Sequence, residues 1–312
     1  MRRARASILR TVTTTTHTRR TAHRDSGVAY ALLTPALMLL AVWFVVPIAQ
    51  TFILSLQSVN QFHFSQREFI GLDNFAQLFA DPAFGNSISI TLTFVAFVVP
   101  LQTILALVIA SVLQSVKRGR VLFRTAFFVP YMTSTVAVTT VFMQLFALNG
   151  PVASLGAAAG LPNVTWYADV NLALPFLVLV YVYMYLGLYI VTFVSGMESI
   201  PRELYEAAMV DGAGPVSRFR HITIPGLRPF LIFVLVAGLI QALQVFDQAY
   251  VISNGTILGS PAGATSTIVI FIYQQAFRLN ALGYGSAAAV LLLVIVFVGT
   301  AITRRMVREA EA

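Results

Sequence analysis

Two groups of polar side chains sit inside strongly apolar segments of this chain, at spacings that gather them on single helix faces. Tyr181, Tyr185 and Tyr189 recur every fourth residue. Gln241, Gln244, Asp247 and Gln248 recur at intervals of one, three and four. Aromatic rings and amides suit a polyhydroxylated solute, because rings cover its C–H faces while amides both donate to and accept from its hydroxyls. The same side chains also suit hydrogen bonding between neighbouring helices, and the spacing leaves both roles open. Gln144 stands in the same position. Catalytic chemistry has much less support. The chain contains no cysteine, and its four histidines fall at no metal-binding spacing. No pair of carboxylates suggests hydrolysis. No Gly-x-x-x-x-Gly-Lys-Ser/Thr loop is present to cradle a nucleotide phosphate, so no ATP-driven motor is expected within the chain itself.

The segments that carry these residues are membrane spans. Of the 312 residues, 58% are hydrophobic and 10% charged, whereas a soluble domain carries about 25% charged residues. Stretches 26–66, 82–116, 125–168, 170–197, 229–246 and 279–303 contain no Lys, Arg, Asp or Glu. A helix needs about 20 mostly apolar residues to cross the hydrocarbon. The pattern predicts an all-α membrane protein with six helices at about 29–55, 88–115, 121–147, 171–195, 229–252 and 284–303. Asp247 then falls near one interface, where a carboxylate is tolerated or pairs with Arg278.

The net charge of +8 is explained by placement and points to no nucleic acid. Lys and Arg accumulate on the cytoplasmic flanks of spans. With the N-terminus inside, 18 of the 20 basic residues lie on that side, leaving only Arg67 and Arg278 outside. Both termini are therefore expected in the cytoplasm of a multi-pass protein. Residues 1–25, Arg-rich and with Thr13–Thr16 in a row, read as a disordered basic cytoplasmic tail. They do not read as a cleaved leader, because the apolar run that follows is too long. The single transmembrane domain is expected over 26–312.

One connection on the basic side is too long to be idle: residues 196–228. Pro201 suits the first turn of a helix, with Glu203 and Glu206 near its positive end. Leu204, Ala207, Ala208 and Met209 offer a small apolar face. Gly212 and Gly214 permit a left-handed stop, and Pro215 begins a second short helix towards Ile222. The predicted result is an amphipathic helix–turn–helix lying at the membrane surface, shaped to enter a groove on a partner.

Here the sequence resembles a known family. Glu206-Ala207-Ala208, Gly212 four residues on, and Ile224-Pro225 resemble the EAA motif of permeases in binding-protein-dependent ABC importers. The stretch from Phe69 through Gly71, Asp73 and Asn74 to Phe75 resembles the segment before helix two of sugar permeases. Arg124-Thr125 through Phe128-Val129-Pro130-Tyr131 resembles the start of their third helix. Ser253-Asn254-Gly255 and the run Tyr273 to Phe277 resemble their last outer loop.

The resemblance implies a type I importer fold in a bacterial inner membrane. It implies that a separate ATPase subunit binds ATP and Mg and receives the loop through Glu206, Ala207, Ala208, Asp211, Gly212, Ile224 and Pro225. It further implies two such ATPase subunits, a second permease that is usually a different chain, and an extracytoplasmic substrate-binding protein. No cofactor is expected in this chain. By distance from Glu206, Tyr181, Tyr185, Gly238 and Gln241 fall where the maltose permease lines its sugar site, and Gln244 continues that face. Leu56 to Asn60, Ile200-Pro201-Arg202 and Asp211 to Pro215 also resemble glycerol-3-phosphate permeases. A phosphate or related phosphodiester calls for cationic contacts, which these helices lack. An ion-coupled secondary carrier is expected to carry mid-membrane charges and an internal repeat, and neither is seen.

Overall fold

The computed structural model describes residues 21–60, 67–116, 118–160, 163–255 and 257–309. The expected basic tail therefore lies outside the described residues up to position 20. From Thr21 onward the backbone is already helical. Two compact units divide at residues 51 and 52.

The first unit is helical throughout its described residues. Helix α1 (Thr21–Leu40) passes through a π-helical turn at Ala41–Val45 into α2 (Val46–Ser55). Pro47 has no N–H to give back along the ladder, and the wider turn just before it absorbs that missing bond. Large apolar side chains including Leu33, Leu37, Trp43 and Phe44 are exposed, as expected of a span whose solvent is lipid.

The second unit is organised around two long helices, α4 (Pro82–Ser115) and α8 (Ala173–Ser199), which pack along one another. Before them, β1 (Gln57–Ser58) pairs antiparallel with β2 (Glu68–Phe69), and α3 (Asp73–Ala80) follows. Asn74 is buried, and its amide donates to the Ser55 and Gln57 carbonyls at 2.9 and 3.0 Å. Asp81 caps α4 by accepting from the Ala83 N–H at 2.8 Å, while its other oxygen accepts from the Tyr284 hydroxyl at 2.8 Å. That hydroxyl belongs to α15 (Leu282–Glu309), so the cap fastens the start of α4 to the last span.

Two expected spans are broken. The third, read from sequence as one helix over 121–147, is α5 (Arg120–Met132) and α6 (Thr135–Leu145), meeting at a bend of 97°. Pro130 removes a ladder donor near the end of α5, and the Thr133-Ser134-Thr135 run then supplies side chains that bond locally instead. Thr133 indeed returns its hydroxyl to the Val129 carbonyl at 2.8 Å. The fifth, expected over 229–252, is α12 (Arg228–Leu243) and α13 (Asp247–Ile252), with a non-helical link at Gln244–Phe246.

A further difference lies at the end of the unit opposite residues 196–228. The stretch read as an outer loop folds inward as α14 (Ile268–Tyr273). Its start is fixed by the Ile268 N–H donating to Thr91 Oγ1 at 2.9 Å and by Thr267 donating to the Val245 carbonyl at 3.0 Å. Six apolar residues are too few to distinguish a buried helix from a loop by pattern alone.

The core forms where α4 meets α8. One cluster centres on Phe94, Val98, Phe176, Val180 and Tyr181; another centres on Ala106, Ala110, Ile190, Phe193 and Leu227, nearer residues 196–228. On the other face of α8, Gly187 lets α5 approach closely, since a side chain there would overlap the Phe127 carbonyl.

Candidate functional site: a surface loop and a polar seam

Helix α8 runs directly into the loop region. Pro201 precedes α9 (Arg202–Val210) as its capping residue, one position earlier than its predicted place in the first turn. The helix stops as the sequence suggested. Gly212 adopts φ +78°, the Gly212 N–H donates to the Met209 carbonyl at 3.1 Å, and the Ala213 N–H to the Ala208 carbonyl at 2.8 Å. This left-handed closure satisfies carbonyls that the helix end would otherwise leave free. Pro215 then opens α10 (Pro215–Arg218), which continues through a π-helical turn, Phe219–Thr223, into α11 (Ile224–Gly226). The Tyr205 hydroxyl lies 2.9 Å from Thr223 Oγ1 and ties the two arms together.

The outward surface of this hairpin mixes exposed apolar and charged side chains. Leu204, Met209, Val210 and Val216 are exposed, and Val210 retains 88% of its accessible area. Glu206, Ala207, Asp211 and Gly212 are exposed with them, Ala208 is half-buried, and Ile224 and Pro225 are half-buried where the second arm joins α12. Beneath α9 a cavity of about 370 Å³ is lined by residues including Ser111, Gln114, Arg202, Tyr205 and Glu206. His221 is exposed and bonds only along its own helix, to the Ser217 carbonyl at 2.9 Å. At the same end, Glu198 pairs with Arg120 at 3.2 Å and Arg124 at 3.3 Å. Arg120 also bonds Gln114, the last turn of α4. The basic connection at 117–124 and the loop at 196–228 therefore share one end of the bundle, as alternating spans require.

Inside the bundle the tyrosine ladder is real, but its members are not equivalent. Tyr181 and Tyr189 are fully buried, while Tyr185 is half-buried. The Tyr181 ring stacks 4.5 Å from Tyr185 and meets Phe94 edge-on at 5.2 Å. Tyr185 in turn faces Tyr131 of α5 at 6.0 Å. The Tyr189 hydroxyl donates to Gln241 Oε1 at 3.3 Å, so α8 and α12 do meet through the two predicted faces. Gly238 is buried one turn before Gln241. Gln244 falls in the link after α12 and is exposed. Gln248 is buried and donates to Met184 Sδ at 3.6 Å. Gln144 is exposed on α6. Asp247 is exposed at the start of α13, and no Asp247–Arg278 ion pair forms among the described residues. Arg278 bonds the Gly255 carbonyl instead. A backbone acceptor supplied by the turn at Asn254–Gly255 outcompetes the distant carboxylate.

Gln102 of α4 completes the seam, and sequence reading did not single it out. It is fully buried in the middle of a 34-residue apolar helix. Its Nε2 is so close to Gly238 that a β-carbon there would lie 2.7 Å away. The signal was present, because a lone amide between Leu101 and Thr103 in an uncharged span is costly without a partner.

Residues 102–311 match the family model described as binding-protein-dependent transport system inner membrane component. The chain belongs to that family. It is a translocation subunit of an ABC importer, without an ATPase of its own. Among relatives, it is 34% identical over 280 residues to the probable ABC transporter permease protein YesP of Bacillus subtilis (strain 168), covering 89% of each chain. It is 30% identical to the lactose transport system permease protein LacF of Rhizobium radiobacter, over 86% of this chain and 90% of that one. Identity to the sn-glycerol-3-phosphate transport system permease protein UgpA of Pectobacterium atrosepticum is 31%, over 92% and 96%. The fold matches a permease chain in the crystal structure of a bacterial alginate ABC transporter in complex with an alginate pentasaccharide-bound periplasmic protein. The TM-score is 0.77 at 21% identity, covering 93% of this chain and 97% of that one.

Proposed function

We propose that this chain is one permease of a carbohydrate importer in the bacterial cytoplasmic membrane, with both termini in the cytoplasm. The loop at 196–228 docks into a cleft of a separate ATPase subunit through α9 and the turn behind it. Glu206, Ala207, Ala208, Asp211 and Gly212 face that partner, and Ile224-Pro225 anchor the return arm. ATP and Mg belong to the ATPase. A second permease, a second ATPase subunit and an extracytoplasmic substrate-binding protein complete the complex. The observation that carries this reading is the set of exposed apolar side chains on α9, which stops at Gly212 and follows the helix bearing the tyrosines after only the extended Ile200–Pro201 step. An exposed apolar patch of this kind marks an interaction surface.

Tyr181, Tyr185, Gly238, Gln241 and Gln244 supply the pathway on this side. Carbohydrate is favoured because the seam offers rings and amides but no Lys or Arg. Relatives named for lactose and arabinooligosaccharide transport support the same class. The relative named for sn-glycerol-3-phosphate transport supports a second reading, in which the binding protein alone recognises the phosphate.

The test is reconstitution of the chain with the partner genes encoded beside it. Uptake of radiolabelled lactose, arabinotriose and sn-glycerol 3-phosphate into proteoliposomes is then compared. Uptake of the phosphate alone overturns the carbohydrate reading. Sidedness is checked by single-cysteine labelling, which the cysteine-free chain makes clean. Ser260→Cys is expected to label from outside and Ser217→Cys only after permeabilisation. Ser65→Cys, the matching outer probe, lies outside the described residues.

A further inference from the structure

We propose that Gln102 is a pathway residue held in reserve: a further contribution to the solute-contacting surface, supplied by α4 and covered in this packing by α12. The inference rests on the importer reading above and adds a residue and a movement to it.

Three observations lead there. Gln102 has no accessible surface, and neither its Oε1 nor its Nε2 makes a hydrogen bond among the described residues. The Tyr189 hydroxyl lies close enough to interact with the Gln102 amide, but the bond it makes within hydrogen-bonding geometry goes to Gln241. The Tyr181 hydroxyl is likewise buried without a partner among the described residues. Buried amides are almost always satisfied, so an amide left with no well-formed bond signals an arrangement that this packing does not display. Next, what covers Gln102 is Gly238, the one α12 position whose lack of a side chain lets Nε2 fit. Helices held apart by nothing larger than a hydrogen atom separate without dragging a side chain through the contact. Finally, α4 is weakened beside Gln102. Pro100 lies within the helix, and Thr103 sends its hydroxyl back to the Val99 carbonyl at 2.6 Å. Both features soften a helix locally and favour bending there.

Together these make the α4–α12 contact a seam that opens at Gly238. When α12 withdraws, the Gln102 amide faces the space left behind, alongside Tyr189 and Gln241. One donor and one acceptor group on a single amide match adjacent hydroxyls of a carbohydrate. The contact that satisfies Gln102 is thus the solute, or the water preceding it, in the open state.

The experiment needs no knowledge of the sugar. Gln102→Cys is introduced into the complete importer as its only permease cysteine. A small, charged, membrane-impermeant thiol reagent is applied in the nucleotide-free complex and in the complex trapped with ATP and vanadate. Ala106→Cys, one turn further along α4 and fully buried in the apolar cluster, serves as the reference. The expected result is modification of Gln102→Cys on the order of tenfold faster in one of the two states, with Ala106→Cys unreactive in both. Protection of Gln102→Cys in both states overturns the proposal. Equal modification of Ala106→Cys also overturns it, because the whole helix interface would then be opening. A wild-type chain that recovers no ATPase defeats the importer reading itself. A complex that hydrolyses ATP while Gln102→Cys stays protected defeats only this inference.

Discussion

The hairpin at 196–228 and the seam between α4, α8 and α12 are built on opposite plans. The hairpin shows its apolar residues to the outside and bonds its backbone internally; Met209 and Val210 are bare while every cap around Gly212 is closed. The seam hides its polar residues and leaves several of them unbonded. An apolar surface kept exposed and a polar surface kept buried both carry a standing cost, roughly 25 cal/mol per Å² in the first case and about 1–3 kcal/mol per unmade bond in the second. On the function proposed above, each cost is relieved by something that arrives: a protein for the hairpin, a solute for the seam. The two regions also differ in how they respond to substitution.

The largest effect is expected at Gly212. The space around it within the chain is open, so Gly212→Asp meets no internal clash. It does force a side chain into a left-handed backbone, at about 1 kcal/mol, and places a carboxylate on the docking surface. ATPase retention in the purified complex should fall by more than roughly tenfold, the change expected for about 1.4 kcal/mol, with uptake lost and membrane insertion normal. Full retention and normal uptake would remove the hairpin from the interface. Glu206→Ala, which deletes one exposed charge, should be milder in the same assay.

Tyr181 sharpens the other side of the comparison. Tyr181→Ala empties a fully buried ring site between Phe94 and Tyr185, so it should destabilise the chain by about 3–5 kcal/mol whatever its role in transport. Tyr181→Phe is the discriminating variant. Its hydroxyl has no partner among the described residues, so removal should leave thermal stability unchanged or raised while slowing uptake. A clear loss of stability in Tyr181→Phe would make the hydroxyl a packing element.

Gln241→Ala comes next. It removes a weak 3.3 Å bond to Tyr189, and a loss of about 1 kcal/mol is expected in detergent melting, with a larger proportional fall in uptake. Wild-type uptake would send the solute elsewhere. The smallest effect belongs to the ion pairs. Glu198→Gln should cost below about 1 kcal/mol, since the pairs with Arg120 and Arg124 are partly exposed. A melting shift larger than that from Gln241→Ala would reverse the ranking.

The hairpin was legible because its information is local. Proline at a helix start, glycine at a left-handed stop and small apolar residues between them fix a shape within fifteen residues. Five spans, and a sixth if the bent α5–α6 pair counts as one, were legible for the same reason, from absent charge. What the sequence concealed depends on contacts far apart in the chain. The 97° break between α5 and α6 was hidden because uninterrupted hydropathy does not distinguish a straight span from two pieces. The sequence placed the tyrosines and the glutamines each on one helix face but left open what those faces meet; the Tyr189–Gln241 bond joins them across α8 and α12. Gln102 went unseen because no other amide shares its stretch of α4 and it gains meaning only beside Gly238, 136 positions away.

Helix α8 itself has a mechanical consequence. Its 27 residues run unbroken from Ala173 to Ser199, about 40 Å at 1.5 Å per residue, while the third and fifth spans are jointed. It is gripped at the hairpin end by Arg120 and Arg124 through Glu198. A stiff member clamped at one end behaves as a connecting rod. A displacement of its hairpin end meets one joint, the extended Ile200–Pro201 step, and none inside the helix before the three tyrosine rings.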